Sequence, residues 1–338
     1  MGCSCGCFYI FGGTTLKQFL ENNFLGNLIA QRRLFCFLLF AIPFAFSQDL
    51  PQAKKPAVPA AWQQGKRACD DCSGGSVVVQ GDVTIDLSVS PPQLLGDAAL
   101  LPHMSVDTTA ADPALWTVVF DFGNQALVLE TGRFTVVPVP TATAGRLAVP
   151  GLELRSACSI TQAADSELLL LPVDAASGPL RLLADGPIFL AGTVANRVSG
   201  TWGVTGDLVV ASQCGSITVA SSARLALGGS QEGGGDLSLY TAGSDGTIRV
   251  DGLVDAHFSG GRVSAVYVNA GGDLFVDGST VFGRETNTNR LIASGISSRG
   301  NQQPGRVELS AEGQVDVAGY GALPWLGASS YAFSFDLN

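Results

Sequence analysis

Gly206-Asp207-Leu208-Val209-Val210 and, a few residues later, Gly215-Ser216-Ile217-Thr218-Val219 carry the same short pattern: Gly, any residue, apolar, any residue, apolar. Each apolar pair skips one residue, so both side chains face the same side of an extended chain and the skipped residue faces the other. This is strand spacing, not helix spacing. The first of these two stretches has equivalents at Gly178, Gly235, Gly261 and Gly305, with apolar pairs Leu180/Leu182, Leu237/Leu239, Val263/Ala265 and Val307/Leu309. The second has equivalents at Gly186, Gly246, Gly272 and Gly313, with Ile188/Leu190, Ile248/Val250, Leu274/Val276 and Val315/Val317.

The first set recurs at intervals of 28, 29, 26 and 44 residues and the second at 29, 31, 26 and 41. Periods of this size mark a solenoid, whose unit cannot bury its own apolar face and must stack on a neighbour. Short third segments follow the second strand, at Gly192-Thr193-Val194-Ala195, Gly252-Leu253-Val254-Asp255-Ala256 and Gly278-Ser279-Thr280-Val281-Phe282. Three strands per coil give the triangular section of a parallel β-helix. The longest interval contains a polar excursion, 284–304, that reads as a loop bulging from one corner.

These repeats resemble the Gly-rich right-handed parallel β-helices of bacterial surface and secreted proteins, the adhesin and autotransporter-passenger kind. The resemblance covers about 160 residues, from roughly Gly178 onward, and rests on a repeat and not on a catalytic signature. It implies an all-β fold, a right-handed solenoid with an irregular β-rich N-terminal region, and a structural or adhesive role.

Composition agrees with such a fold. Only 14% of residues are charged, 42 are Gly, and no Lys follows Lys66. Disorder requires low hydrophobicity and high charge, the opposite of this balance. A net charge of −10 argues against nucleic acid as a partner, which needs a basic footprint.

Residues 1–47 read as an N-terminal extension plus signal peptide. Arg32-Arg33 precedes an apolar run over 34–46, and Ala45-Phe46-Ser47 places small residues where a signal peptidase reads, so cleavage is expected before Gln48. The run is shorter than the ~20 residues of a membrane span, and no stable span is expected after cleavage. Met1-Gly2-Cys3 has Gly6 where an acylation signal needs Ser or Thr, so residues 1–30 read as an upstream start. The segment holds three basic residues (Lys17, Arg32, Arg33) and one acidic (Glu21), so its removal takes the net charge from −10 to −12. The expected location is exported: cell surface, extracellular or periplasmic.

Residues 48–73 form a Pro/Ala/Gln-rich linker ending in Cys69-Asp70-Asp71-Cys72. No second Cys pair completes a zinc ribbon, so a local Cys69–Cys72 disulfide is expected. Cys158 and Cys214 read as two buried thiols, with a bridge between them as the alternative. Residues 74–177 form an irregular β-rich region, either early coils or an N-terminal cap, and 178–338 the regular coils. Leu323-Pro324-Trp325-Leu326 and Tyr331-Ala332-Phe333-Ser334-Phe335 supply a short C-terminal cap, which an open final coil requires.

Stacking turns repeats into ladders, so outward residues at equivalent places become neighbours. Asp236 is expected beside Arg262 as a surface pair. Asp251 and Asp277 occupy equivalent places in Val-Asp-Gly, with Asp255 and Asp273 near in sequence. Stacked carboxylates repel unless a cation or proton intervenes, and oxygen-rich clusters suit Ca²⁺; the alternative is solvated turn residues, with no cofactor. His257 beside Asp255 is a general-base candidate, so the enzymatic alternative is a polysaccharide lyase or glycoside hydrolase using Asp251, Asp255, Asp277 and His257. The sequence shows no Gly-x-Ser-x-Gly elbow, metal-binding His pair or phosphate loop. The outward strand residues read as small and polar. They favour a structural or adhesive rod that displays loops, above all 284–304, to a polysaccharide or surface protein. A fragment of a longer passenger is a third reading.

Overall fold

The computed structural model describes residues 72–142, 145–200, 203–228, 234–257 and 265–276, with strand segments Ile10–Phe11, Thr14–Thr15, Arg306–Ala311, Val315–Val317 and Ala332–Leu337. Met1–Lys55 is a unit of its own, in which Ile10–Phe11 pairs antiparallel with Thr14–Thr15. Pro56–Asn338 is the second unit, a β-solenoid of parallel sheets with almost no helix. The 284–304 excursion, Asp277, Arg262, Cys69, the expected cleavage site and 323–326 lie outside the described residues.

Three sheets run the length of the solenoid, and in five turns all three strands are described. The first sheet takes Thr117–Asp121, Gly151–Ser156, Leu180–Ala184, Leu208–Ser212 and Leu237–Thr241 from these turns. The second takes Ala126–Leu129, Ile160–Gln162, Ile188–Leu190, Ile217–Val219 and Ile248–Val250, and the third Gly132–Val136, Ser166–Leu170, Thr193–Arg197, Arg224–Gly228 and Leu253–His257. The apolar pairs stack in register: Leu180 on Leu208 on Leu237, and Ile188 on Ile217 on Ile248. All six are fully buried, each such side chain contributing roughly 2 kcal/mol on leaving water.

The recurring Gly has a steric cause. A Cβ on Gly206 would lie 2.4 Å from the carbonyl of Gly178, and one on Gly215 2.2 Å from the backbone nitrogen of Pro187. The chain rounds these corners with adjacent turns too close for a side chain between them. At the sixth strand of the first sheet the structure corrects the sequence alignment. Leu237 and Leu239 pair with Val266 and Val268, which continue onto Val307 and Leu309, so the buried pair of this strand is Val266/Val268. Val266-Tyr267-Val268 offers two β-branched side chains to the core where Val263-Ser264-Ala265 offers one, and register follows the better-buried pattern.

The solenoid begins earlier than the Gly repeats. The turns at 117–136 and 151–170 are regular and pair strand for strand with those that follow. The interior of the first holds Phe120 packed edge-on against Phe134, ring centroids 6.0 Å apart, and stacked on Phe122 at 6.5 Å. At the N-terminal end the first sheet closes with Met104–Asp107, antiparallel to Thr117–Asp121, and the third with Gln93–Leu95, antiparallel to Val83–Asp86. A 3-10 segment, Ala98–His103, joins the two closing strands and buries Leu100; the Asp97 side chain accepts from the Ala99 amide at its start. Reversed strands of this kind end a parallel ladder without offering a further turn a template.

The cysteines are paired differently from the sequence expectation. Cys72 bonds Cys158, 86 residues away, with Cα atoms 5.0 Å apart, so it does not bridge to Cys69. Cys158 and Cys214 are not thiols; each is disulfide-bonded. The physical reason lies in the stacking. Cys158 stands two residues before Ile160, the place that Gly186 and Gly215 hold before Ile188 and Ile217, and the Gly186 amide donates to its carbonyl. Sequence distance is irrelevant along such a column, and Cys72, just before Ser76–Val79 at the end of the second sheet, is delivered to it.

Candidate binding face

The outward residues of the third sheet form three rows that the strand register fixes. One row reads Arg133, Glu167, Thr193, Arg224, Leu253, and the next Thr135, Leu169, Ala195, Ala226, Asp255. In the third, Arg197 stands beside Gly228, whose backbone pairs with that of His257. Neighbouring strands lie about 4.8 Å apart, so a row is a ruler along the solenoid axis.

Between these rows lies an open groove of about 380 Å³, lined by Arg133, Glu167, Leu169, Leu171, Thr193 and Arg197, with Ala195, Arg224 and Ala226 completing it. Its floor is made of small side chains, Ala195 and Ala226, both buried. Leu171, 50% exposed, gives it an apolar rim.

The charges are held in place. Arg133 pairs with Glu167 across adjacent strands. Arg224 and Arg197 converge on one oxygen of Asp255, Oδ2, at 3.4 and 3.6 Å. Arg197 reaches Asp255 across the strand of Gly228, which presents no side chain to block it. Asp255 is only 4% exposed, and its second oxygen, Oδ1, is buried without a hydrogen-bond partner. A buried carboxylate is tolerated only when paired, and here two guanidiniums supply that pairing.

The remaining sequence candidates fall elsewhere. Asp251 stands at the corner between Ile248–Val250 and Leu253–His257, and its carboxylate accepts from Arg249 at 2.7 Å. Asp273 sits just before Leu274–Val276, its carbonyl accepting from the Ile248 amide. His257 ends its strand opposite Gly228. His103 is at the N-terminal end, its Nδ1 3.0 Å from the Asp121 carbonyl oxygen and its ring against Phe122. The Asp236 amide donates to the Asp207 carboxylate. Among the described residues no three His, Cys, Asp or Glu side chains are grouped to hold a metal ion, and no helix is long and apolar enough to cross a membrane.

The first sheet's outer face differs from the small polar surface expected of it. Glu153, 2% exposed, takes both Arg155 and Arg181, the latter at 3.2 Å. Leu183, Val209 and Ala211 form a second buried cluster with Tyr240 against it.

Arg133, Arg197 and Arg224 escape a reading built on the Gly repeats, because the third strands do not all open with Gly: Ser166–Leu170 and Arg224–Gly228 follow Asp165 and Ala223. The signal that finds them is the apolar residues Val194, Leu225 and Val254, buried in register, from which the alternate positions can be counted. No protein-family model, no curated protein and no solved structure matches this chain.

Proposed function

We propose that this chain is an exported surface-binding solenoid of the kind bacterial surface and secreted proteins use, and that it holds an extended carbohydrate or protein segment along the third sheet. The observation that carries the reading is the open groove over Ala195 and Ala226, with fixed charges at its sides and Leu171 at its rim. An elongated, shallow site suits a polymer lying across several turns; deep enclosure is what small-molecule sites need. The Cys72–Cys158 bond supports export, since structural disulfides persist in oxidising compartments.

The test is retention of the full chain on a panel of immobilised polysaccharides and surface proteins, with and without EDTA, while chain cleavage is recorded. Retention without cleavage, lost when Ala226→Trp fills the groove floor, is the expected result. Retention that Ala226→Trp leaves intact would move binding off this face. Cleavage abolished by EDTA would replace the adhesive role with a Ca²⁺-dependent enzyme.

A further inference from the structure

Resting on that reading of the groove, we infer that its ligand is an anionic glycan strand whose carboxylate or sulfate groups meet Arg133, Arg197 and Arg224 while its hydroxyls meet Thr193. The argument begins with charge. The chain has a net charge of −10 and no Lys after Lys66, yet three arginines gather at this one groove. They face two carboxylates, Glu167 and Asp255, so the face carries a positive surplus on an acidic protein.

The surplus is concentrated. Arg197 and Arg224 share a single acceptor oxygen, although each guanidinium carries five N–H donors in a planar fork suited to oxyanions. Both side chains remain partly exposed, at 34% and 46%, so donors not directed at Asp255 are within reach of a ligand. Asp255 itself is only 4% exposed and does not line the groove, so it holds the two guanidiniums and leaves their other donors to the ligand. An oxyanion on the ligand satisfies those donors.

The spacing points to a polymer. Arg133 and Arg224 lie in one row three strands apart, or about 14 Å at the usual strand separation. Thr193 and Glu167 stand between them. A bare phosphate or sulfate ion cannot span that distance. A polynucleotide would present charge at every unit and meet Glu167 in the middle of the row, in a groove without an aromatic platform for bases. A uronate or sulfated chain alternates charge with hydroxyls, as this row alternates arginine with Thr and Glu. The small floor of Ala195 and Ala226 leaves room for a flat sugar ring, with Leu169 and Leu171 alongside.

The experiment uses the full chain and measures affinity for polygalacturonate, a sulfated glycan and neutral dextran at low and at 0.5 M salt. The expected result is binding to one or both acidic polymers that falls at least tenfold at high salt, as screening of exposed charges requires, and little binding to dextran. Arg224→Ala should weaken it about tenfold. Glu167→Gln, which removes a competing carboxylate at a half-exposed position and leaves the core untouched, should strengthen it about threefold; a merely structural role for these residues would not predict a gain. Binding to only the uronate or only the sulfated polymer identifies which anion the arginines hold. Equal retention of dextran, or affinity unchanged by both substitutions, overturns the anionic ligand while surface binding stands. Retention of no polysaccharide but of a surface protein overturns it as well, and retention of nothing removes both readings.

Discussion

The two turns over 117–170 and the three over 180–257 share one cross-section but fill it differently. The first of the earlier pair, 117–136, centres on a ring cluster, Phe120, Phe122 and Phe134, and the second, 151–170, with an aliphatic interior, is tied at its second corner by Cys72–Cys158. The later three stack Leu, Ile and Val with glycine at that corner. Side chains of unlike shape must be fitted individually, whereas identical aliphatic pairs stack wherever the next turn presents the same pair. The first turns therefore depend on particular partners, and the later ones on repetition.

The largest expected effect concerns the disulfide. A bond closing 86 residues removes unfolded-state freedom worth about 4–5 kcal/mol in the chain-entropy account. The double substitution Cys72→Ser, Cys158→Ser should lower stability by up to that amount, and native-state hydrogen exchange should locate the loss in 117–170. An equal loss of protection over 208–257 would show that the two regions unfold as one unit and dissolve the contrast.

Next comes the aromatic layer. Phe120→Ala should cost about 3–5 kcal/mol and Leu208→Ala about 2–4 kcal/mol, since both side chains are fully buried. Their ratio is informative, because a smooth aliphatic stack can settle into a small gap more readily than a ring cluster can. Denaturant unfolding of both variants measures it, and a larger cost at Leu208 would reverse the assignment of rigidity.

Glycine separates the regions in a third way. Gly206→Ala places a methyl 2.4 Å from the Gly178 carbonyl, and the turns must part to admit it, at about 3 kcal/mol. Gly123, with φ of 53° and open space where a Cβ would go, tests backbone conformation alone, and Gly123→Ala should cost about 1 kcal/mol. Thermal unfolding distinguishes the two, and equal costs would mean that the corner column is less tightly stacked than the distances imply.

The same contrast explains what could be read in advance. Gly178, Gly206 and Gly235 announce their strands because close corners demand glycine, and that demand repeats. Trp116-Thr117-Val118-Val119-Phe120 reads as a strand, but nothing in it states that Val118 pairs with Leu152 and Leu152 with Leu180. The shift from Val263 to Val266 shows the limit within the regular region, where a Gly-led pattern yielded to a better-buried pair. The Cys72–Cys158 bond was hidden for the opposite reason: Cys69-Asp70-Asp71-Cys72 is conspicuous locally, while the true partner is near only after stacking. The arginine groove needed the third-strand register, which passes through Leu225, a strand that no Gly marks.

The smallest expected effect concerns the most exposed ion pair of the groove, which joins the two early turns. Arg133, 64% exposed, belongs to the first turn and Glu167 to the second. Exposed pairs contribute roughly 0–1 kcal/mol because water screens them and two long side chains lose freedom. Arg133→Ala should therefore shift stability by less than about 1 kcal/mol, with hydrogen exchange at 117–170 nearly unchanged. A loss of several kcal/mol would make the pair a clamp between turns, and the early region would then rely on its outer face as well as on its rings and its disulfide. A negligible loss would place the pair's role in the charge pattern of the groove rather than in the stability of the turns.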